Sequence, residues 1–304
     1  MGSKGVVYLA YGIEYLIMAA HSSYTLKMSN PNLKVQVITN VPIVEVVRNS
    51  LSIFDIITFI EDDQINNRKI KLSLEKLSNF DKTVFIDSDT EILKDISALF
   101  DMLDFWPFAL KFNSYYVPRK MTIFDKDVNY LNLSDWNSGV LVFNKNNDYS
   151  TNLFSKWRKN YKELGFSQDQ PALKKTIYEM RQFPLPLSGE WNAKRSNIAE
   201  YHLLNKFREK VYIYHYRDPS RDIDVKNRII ETAEKLNFFF SKSLDIEYIN
   251  KIMSELDNYK NFLKSDQLDI KKKIRSMKDK GLKHKIFKKL QRIFNYFGFE
   301  LTLK

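Results

Sequence analysis

The stretch "TVFIDSDTEIL", Thr83 to Leu93, sets two aspartates one residue apart at the end of a β-branched, aromatic run. "KTVFID" reads as a buried strand, and Asp87-Ser88-Asp89 falls at its carboxyl end. Residues i and i+2 of an extended segment point to one side, so Asp87 and Asp89 aim into one pocket with Ser88 turned away. Asp-x-Asp recurs at Asp125/Asp127 and Asp222/Asp224, in polar surroundings with no buried strand leading in. Neighbouring carboxylates repel unless a cation joins them. In a chain without cysteine, a hard divalent ion suits them. The plain alternative is a helix cap: one aspartate starts a helix in "EILKDISALF".

Towards the N-terminus, strands and helices alternate. "GVVYLAYG" reads as a first strand and "IEYLIMAAHSSYTLKMS" as a helix. "LKVQVITN" is a second strand, "IVEVVRNSLSI" a short helix and "FDIITFIED" a third strand. "RKIKLSLEKLSNF" is a helix leading into the acidic strand. This alternation predicts an α/β fold with a mostly parallel sheet flanked by helices. Ligands of such sheets gather beyond the carboxyl ends of the strands. Tyr11-Gly12, Asn40 and Asp87-Ser88-Asp89 stand at such ends.

Downstream, "WNSGVLVFN" is a strand and "STNLFSKWRKNYKEL" an amphipathic helix. "FSQDQPALKKTIYEM" starts a helix with Pro171 in its first turn, where a missing N–H does no harm. "RQFPLPLSGEWNAKRS" is loop-rich, and "KVYIYHYRDPS" contains a further strand. Residues 1–240 form one expected domain, and 241–304 a helical, basic extension.

Composition narrows the partners. The 304 residues are 44% hydrophobic, enough for a substantial core, and carry no cysteine for disulfides or thiolate-bound zinc. No run resembles a leader peptide or reaches the roughly 18 apolar residues of a membrane span. The net charge of +11 is uneven: from Asp266 onward there are 12 Lys/Arg against 4 Asp/Glu, and before it 36 against 33. A basic tail on a nearly neutral body suggests attachment rather than a nucleic-acid cleft, so no nucleic acid is expected. In "LKHKIFKKLQRIFNYFGF", Ile286, Phe287, Leu290, Ile293, Phe294 and Phe297 share one helical stripe, with lysines and Arg292 mainly elsewhere. That pattern suits an anionic membrane surface. The expectation is a cytoplasmic protein, peripheral on the inner face of a membrane; the bland reading packs this helix on the body.

In order along the chain, several segments resemble nucleotide-diphospho-sugar transferases of the GT-A (Rossmann-like) fold, in particular glycosyltransferase family 8. They are "YLAYGIEYLIMAAHSS", "RKIKLSLEKLSNFDKTVFIDSDTEIL", "WNSGVLVFN", "SQDQPAL", "LSGEWN" and "VYIYHY", spanning Val6 to Tyr216. The resemblance implies Mn²⁺ or Mg²⁺ held by Asp87, Asp89 and His215, bridging the diphosphate of a sugar donor whose nucleotide is UDP. It implies that Lys71 faces the donor phosphates, where better-known members carry Arg; Lys offers a point charge rather than a fork. Asn137, Ser138 and Gly139 correspond to the segment against the donor sugar, with Gly permitting close approach. Asp169 and Gln170 correspond to the pair beside the reacting carbon. Tyr11 corresponds to a residue stacked on the base, Gly12 to space for the ribose, and Trp191 and Asn192 to the acceptor side. The implied reaction is transfer to a glycan or glycolipid acceptor with retention of configuration.

Other readings fit less well. A haloacid-dehalogenase-type phosphatase places its Asp-x-Asp early, with Thr two residues after the second Asp, whereas Thr90 follows Asp89 at once. A nucleotidyltransferase needs a Gly-rich loop after the first strand, and "YLAYGIEYL" has one glycine. A non-catalytic basic binding protein has no reason to retain Asp87, Asp89, Asp169, Gln170 and His215 together.

Overall fold

A computed structural model describes residues 2–41, 52–60, 67–113, 135–164, 169–194, 204, 206–217 and 222–236. The strands are β1 Lys4–Ala10, β2 Lys34–Thr39, β3 Ile56–Phe59, β4 Lys82–Ile86, β5 Thr90–Ile92, β6 Phe108–Phe112, β7 Trp136–Asn144, β8 Leu185–Leu187, β9 Ala193–Lys194 and β10 Ile213–His215. The helices are α1 Ile13–Ser29, α2 Asn67–Lys71, α3 Leu74–Leu77, α4 Ala98–Asp101, α5 Asp148–Leu164, α6 Asp169–Met180 and α7 Ile223–Lys235.

Seven strands form a mixed sheet in the order β3-β2-β1-β4-β7-β6-β8. From β3 to β4 the pairs are parallel; β7 runs antiparallel to both β4 and β6, and β8 is parallel to β6. A small sheet, β5-β10-β9, stands beside it. Side-chain alternation sorts the large sheet into two cores. Val6, Tyr8, Val84, Ile86, Val140 and Val142 pack one way, with Leu16 and Ile17 of α1 and Ile229 of α7. Val7, Leu9, Phe85, Leu141 and Phe143 pack the other way, with Phe154 and Trp157 of α5 and Leu173 of α6. Burial on both faces is why these strands read as continuous apolar runs.

The strand ends are tied together. Ser88 Oγ donates to the Leu9 carbonyl at 3.0 Å, and Gly12 N donates to Asn40 Oδ1 at 2.8 Å. Gly12 precedes α1 with φ 84, a left-handed conformation that favours glycine. Between Leu110 and Lys111 the β6–β7 register jumps, so Lys111 pairs with Asn137 rather than Val140. Bulges of this kind re-aim side chains near sites.

Several sequence expectations change. The segment after Asp89 does not begin a helix: it turns into β5, and helix appears only at α4. The helix expected over "RKIKLSLEKLSNF" is two short pieces, α2 and α3. β6 and β8 were hidden in sequence, β8 because Pro186 sits in a three-residue strand. The expected basic extension, 241–304, lies outside the described residues, as does most of "IVEVVRNSLSI". Among the described residues, no helix is long and apolar enough to cross a membrane.

Candidate active site

β4 delivers Asp87 and Asp89, and β10 delivers His215 across the small sheet, where His215 pairs with Thr90. One ligand atom from each of Asp87, Asp89 and His215 lies within 4.8 Å of the others. His215 Nε2 stands 3.1 Å from Asp89 Oδ2. Lys71, at the end of α2, donates to Asp87 Oδ1 at 2.7 Å and to the Ser138 carbonyl at 3.3 Å. Ser138 Oγ donates to Asp169 Oδ2 at 2.5 Å, at the first residue of α6, and Trp157 Nε1 anchors the Asp169 carbonyl at 3.0 Å. The register jump on β7 places Asn137–Gly139 over the end of β4, where Asp87 N donates to the Gly139 carbonyl at 2.8 Å.

Gly139 is required by crowding. A Cβ there would lie 2.9 Å from Asp87 Oδ2, 3.0 Å from Asn137 Oδ1 and 3.0 Å from His215 Cε1. Its missing side chain lets the acidic and imidazole groups converge.

Electrostatics follow from this packing. Burial pushes the Asp89 carboxyl up, but the charge and hydrogen bond of His215 outweigh it and hold the group below the usual carboxylate range. Burial alone would lower the Lys71 ammonium, yet Asp87, Asp169 and Asp89 hold it above its ordinary value. Lys71 is therefore a fixed cation among carboxylates.

The residues fit a divalent ion. Asp87 Oδ1 is taken by Lys71, while Oδ2 hangs over Gly139 on the His215 side. His215 Nδ1 is bonded to Asn192 Oδ1 at 2.9 Å, and an amide oxygen only accepts, so this nitrogen carries a proton. Nε2 is thereby the nitrogen that faces Asp89, donating to that carboxylate or giving its lone pair to a cation. Two carboxylates and one imidazole make a mixed O/N donor set suited to a divalent cation.

The other two Asp-x-Asp pairs part company. Asp222 caps α7: its Oδ1 accepts from Val225 N at 3.4 Å, and its Oδ2 accepts from the Tyr214 hydroxyl at 2.8 Å. Asp125/Asp127 lies outside the described residues.

The remaining sequence candidates divide. Ser88 is buried on the Leu9 carbonyl, away from the acid cluster. Gln170 is half-buried in the first turn of α6. Tyr11 is only 2% exposed and packs in the core with Val7 and Leu9, so its ring presents no open face to a base. Tyr15, in the first turn of α1, is 42% exposed and feels the charges of Asp89 and Asp87. Trp191 stacks on Tyr212 at 4.1 Å, and Asn192 turns inward onto His215. Sequence reading passed over Tyr15 and Lys111. Lys111 is 3% exposed and donates to the Asn192 carbonyl at 2.8 Å. A lone lysine inside the apolar strand "FALKF" was the available signal.

The model of glycosyl transferase family 8 matches residues 70–221, half of the chain and all of the residues just described from Lys71 to His215. This chain belongs to that family. The transferase has no match among proteins of curated function. Its fold is similar to that of the bifunctional glycosyltransferase WbbM, at TM-score 0.56 and 16% identity over 78% of this chain. It spans 51% of WbbM, about half that protein's length. An active-site mutant of LgtC is similar at TM-score 0.56 and 16% identity, over 76% of this chain and 95% of LgtC. GlyE of Streptococcus pneumoniae TIGR4 is similar at TM-score 0.55 and 15% identity, over 79% of this chain and 63% of GlyE. At these identities the likeness speaks for the GT-A fold, which this transferase shares.

Proposed function

We propose that this glycosyltransferase moves a sugar from a nucleotide-diphosphate sugar, with UDP as the carrier, to a glycan or glycolipid acceptor, with retention of configuration. One observation carries the reading: Asp87, Asp89 and His215 converge within 4.8 Å of one another, beside Lys71, in a family 8 chain. A solved structure of the galactosyltransferase LgtC, similar at 18% identity and TM-score 0.53, is described as holding donor and acceptor sugar analogues.

In this reading Asp87, Asp89 and His215 hold a Mn²⁺ or Mg²⁺ ion. When bound, the ion neutralises charge that builds on the departing diphosphate. Lys71, kept charged by its carboxylate neighbours, adds a second positive group towards the phosphates. Asp169, oriented by Ser138, accepts from sugar hydroxyls; the Ser138 bond fixes the carboxylate before the donor arrives. Gln170 lies on the face opposite the leaving group. It is a poor nucleophile, so acceptor attack on the leaving-group face, with the proton passing to the phosphate, accounts best for retention.

The test is a donor screen by hydrolysis. Nucleotide sugars are incubated with the protein in Mn²⁺ and then in excess chelator. Metal-dependent release of one nucleoside diphosphate is expected. Absence of both hydrolysis and metal-dependent nucleotide binding would overturn the proposal.

A further inference from the structure

We propose that Asn192 is a positioning residue, itself set by Asn137, which fixes the ring nitrogen that His215 offers to the acid pair. The inference rests on the reading of Asp87, Asp89 and His215 as a cation site.

The relay begins at a group whose role is not in question. The backbone N–H of Gly139 donates to the Asn137 side chain at 2.8 Å, so the atom it meets is Oδ1. The Asn192 side chain meets that same oxygen at 2.8 Å and must turn its Nδ2 towards it. Its other end, Oδ1, therefore faces His215 Nδ1 at 2.9 Å. An amide oxygen cannot donate, so Nδ1 carries the proton. Nε2 is left as the nitrogen facing the acid pair, 3.1 Å from Asp89 Oδ2, where it donates to that carboxylate without metal and offers its lone pair to a cation. A lone pair facing a carboxylate is unfavourable with nothing between them and favourable across a cation.

Each member is held in place. Asn192 is 0% exposed and Asn137 1% exposed. Asn137 Nδ2 continues to Asn113 Oδ1 at 2.9 Å, and Lys111 Nζ holds the Asn192 carbonyl at 2.8 Å. Asn192 ends the 3-10 turn Gly189–Asn192, and the next residue, Ala193, begins β9 beside β10, opposite Tyr214. The backbone of β7 thus dictates, through two amides, the tautomer presented on β10. Partners that orient a ligating histidine commonly alter metal affinity by about tenfold to a hundredfold when removed.

The experiment uses the full chain, metal-free, with ¹⁵N-labelled histidine rings, followed by Mn²⁺ titration by calorimetry. In the metal-free wild type, His215 Nδ1 is expected to be protonated, held by Asn192 Oδ1. Asn192→Ala should strip Nδ1 of its proton and leave only Nε2–H on Asp89, and weaken Mn²⁺ binding about tenfold to a hundredfold. Asn192→Asp keeps an acceptor oxygen, so it should restore the Nδ1–H pattern and most of the Mn²⁺ affinity, yet melt lower because its second oxygen opposes Asn137 Oδ1. A merely structural Asn192 would lose tautomer and stability together in both variants. If Asn192→Ala does not fold, Asn137→Ala replaces it, with a mixture of tautomers expected. A protonated Nδ1 in the alanine variant, or a bare Nδ1 in the wild type, overturns the inference. A wild type that binds no Mn²⁺ overturns the cation site instead, and the ring spectra still decide the relay.

Discussion

Asp89 and Glu91 stand two residues apart, and each meets a histidine nitrogen: His215 at 3.1 Å and His21 at 3.0 Å. Their surroundings differ. Glu91 also receives Arg228 in a fork, at 2.7 Å from Nε to Oε1 and 2.9 Å from Nη2 to Oε2, and its side chain is 2% exposed. His21 has its second nitrogen on Thr232 of α7 at 2.9 Å. That cluster joins α1, β5 and α7 and has its charges matched. Asp89 meets one imidazole whose other nitrogen is already bonded to Asn192, and its side chain is 18% exposed. Asp87 adds a second carboxylate close by. A closed cluster of this kind contributes stability; an open one of excess carboxylate accepts a cation.

The sharpest way to break the comparison is to remove one charge from each cluster. Asp89→Asn should cut metal-dependent turnover by a factor on the order of 10²–10³, while lowering the urea midpoint less than Glu91→Gln does. A variant that keeps its rate would make the open cluster as inert as the closed one. Glu91→Gln should do the reverse. It leaves Arg228 without its fork, at a cost of about 3 kcal/mol, the low end for a broken buried pair because Arg228 is 38% exposed and rehydrates. Activity per folded molecule should persist.

The pH dependence of stability sharpens the same contrast. Burial pushes Glu91 up, but His21 and Arg228 outweigh it and bring its carboxyl from 4.5 to about 2. A group depressed in the folded state contributes fully above its unfolded value and loses that contribution as pH falls. Wild-type stability should therefore fall by about 3 kcal/mol from this group between pH ~4.5 and ~2, a component absent from Glu91→Gln. Urea unfolding at a series of acid pH values measures it; parallel curves for the two proteins would remove the closed cluster's role.

A divalent ion should tell the clusters apart directly. At about a hundred times its dissociation constant, Mn²⁺ should stabilise the wild type by about 2.7 kcal/mol and Glu91→Gln by the same increment, with no gain in Asp89→Asn. An equal gain in all three would locate the ion elsewhere.

Much of this site was legible because strand-end chemistry leaves local marks. Asp87 and Asp89 follow an apolar β-branched run, and "WNSGVLVFN" coincides with β7 from Trp136 to Asn144. The parallel half of the sheet followed from alternation of apolar strands with helical spacing. What stayed hidden depends on long-range partners. β5 could not be told from a helix start because "TEIL" has no turn residue, and its strand character comes from pairing with β10 more than a hundred residues later. The role of Gly139 lies in what its absent side chain would strike, and that requires Asp87 and His215 to be in place. Asn192 reads as one loop asparagine among several until its two amide ends are assigned from the Gly139 N–H.

The smallest effect tests how far the open cluster extends. Tyr11 and Tyr15 are four residues apart at the head of α1, yet only Tyr15 has an exposed face. Burial raises the Tyr15 phenol first, and Glu14, Asp89 and Asp87 raise it further against the opposing pull of Arg68. A ring beside the acid pair and open to solvent is suited to stack on a donor's planar base. Such a contact contributes on the order of 1 kcal/mol, so Tyr15→Ala should raise the donor KM about fivefold with kcat little changed. Tyr15→Phe should behave as wild type, because the face and not the hydroxyl makes the contact. Tyr11→Ala should instead lower the melting temperature, since that ring fills the core beside Leu9. If Tyr11→Ala moved the KM and Tyr15→Ala did not, the base would have to reach into the core, and the open side of the cluster would end at Asp89.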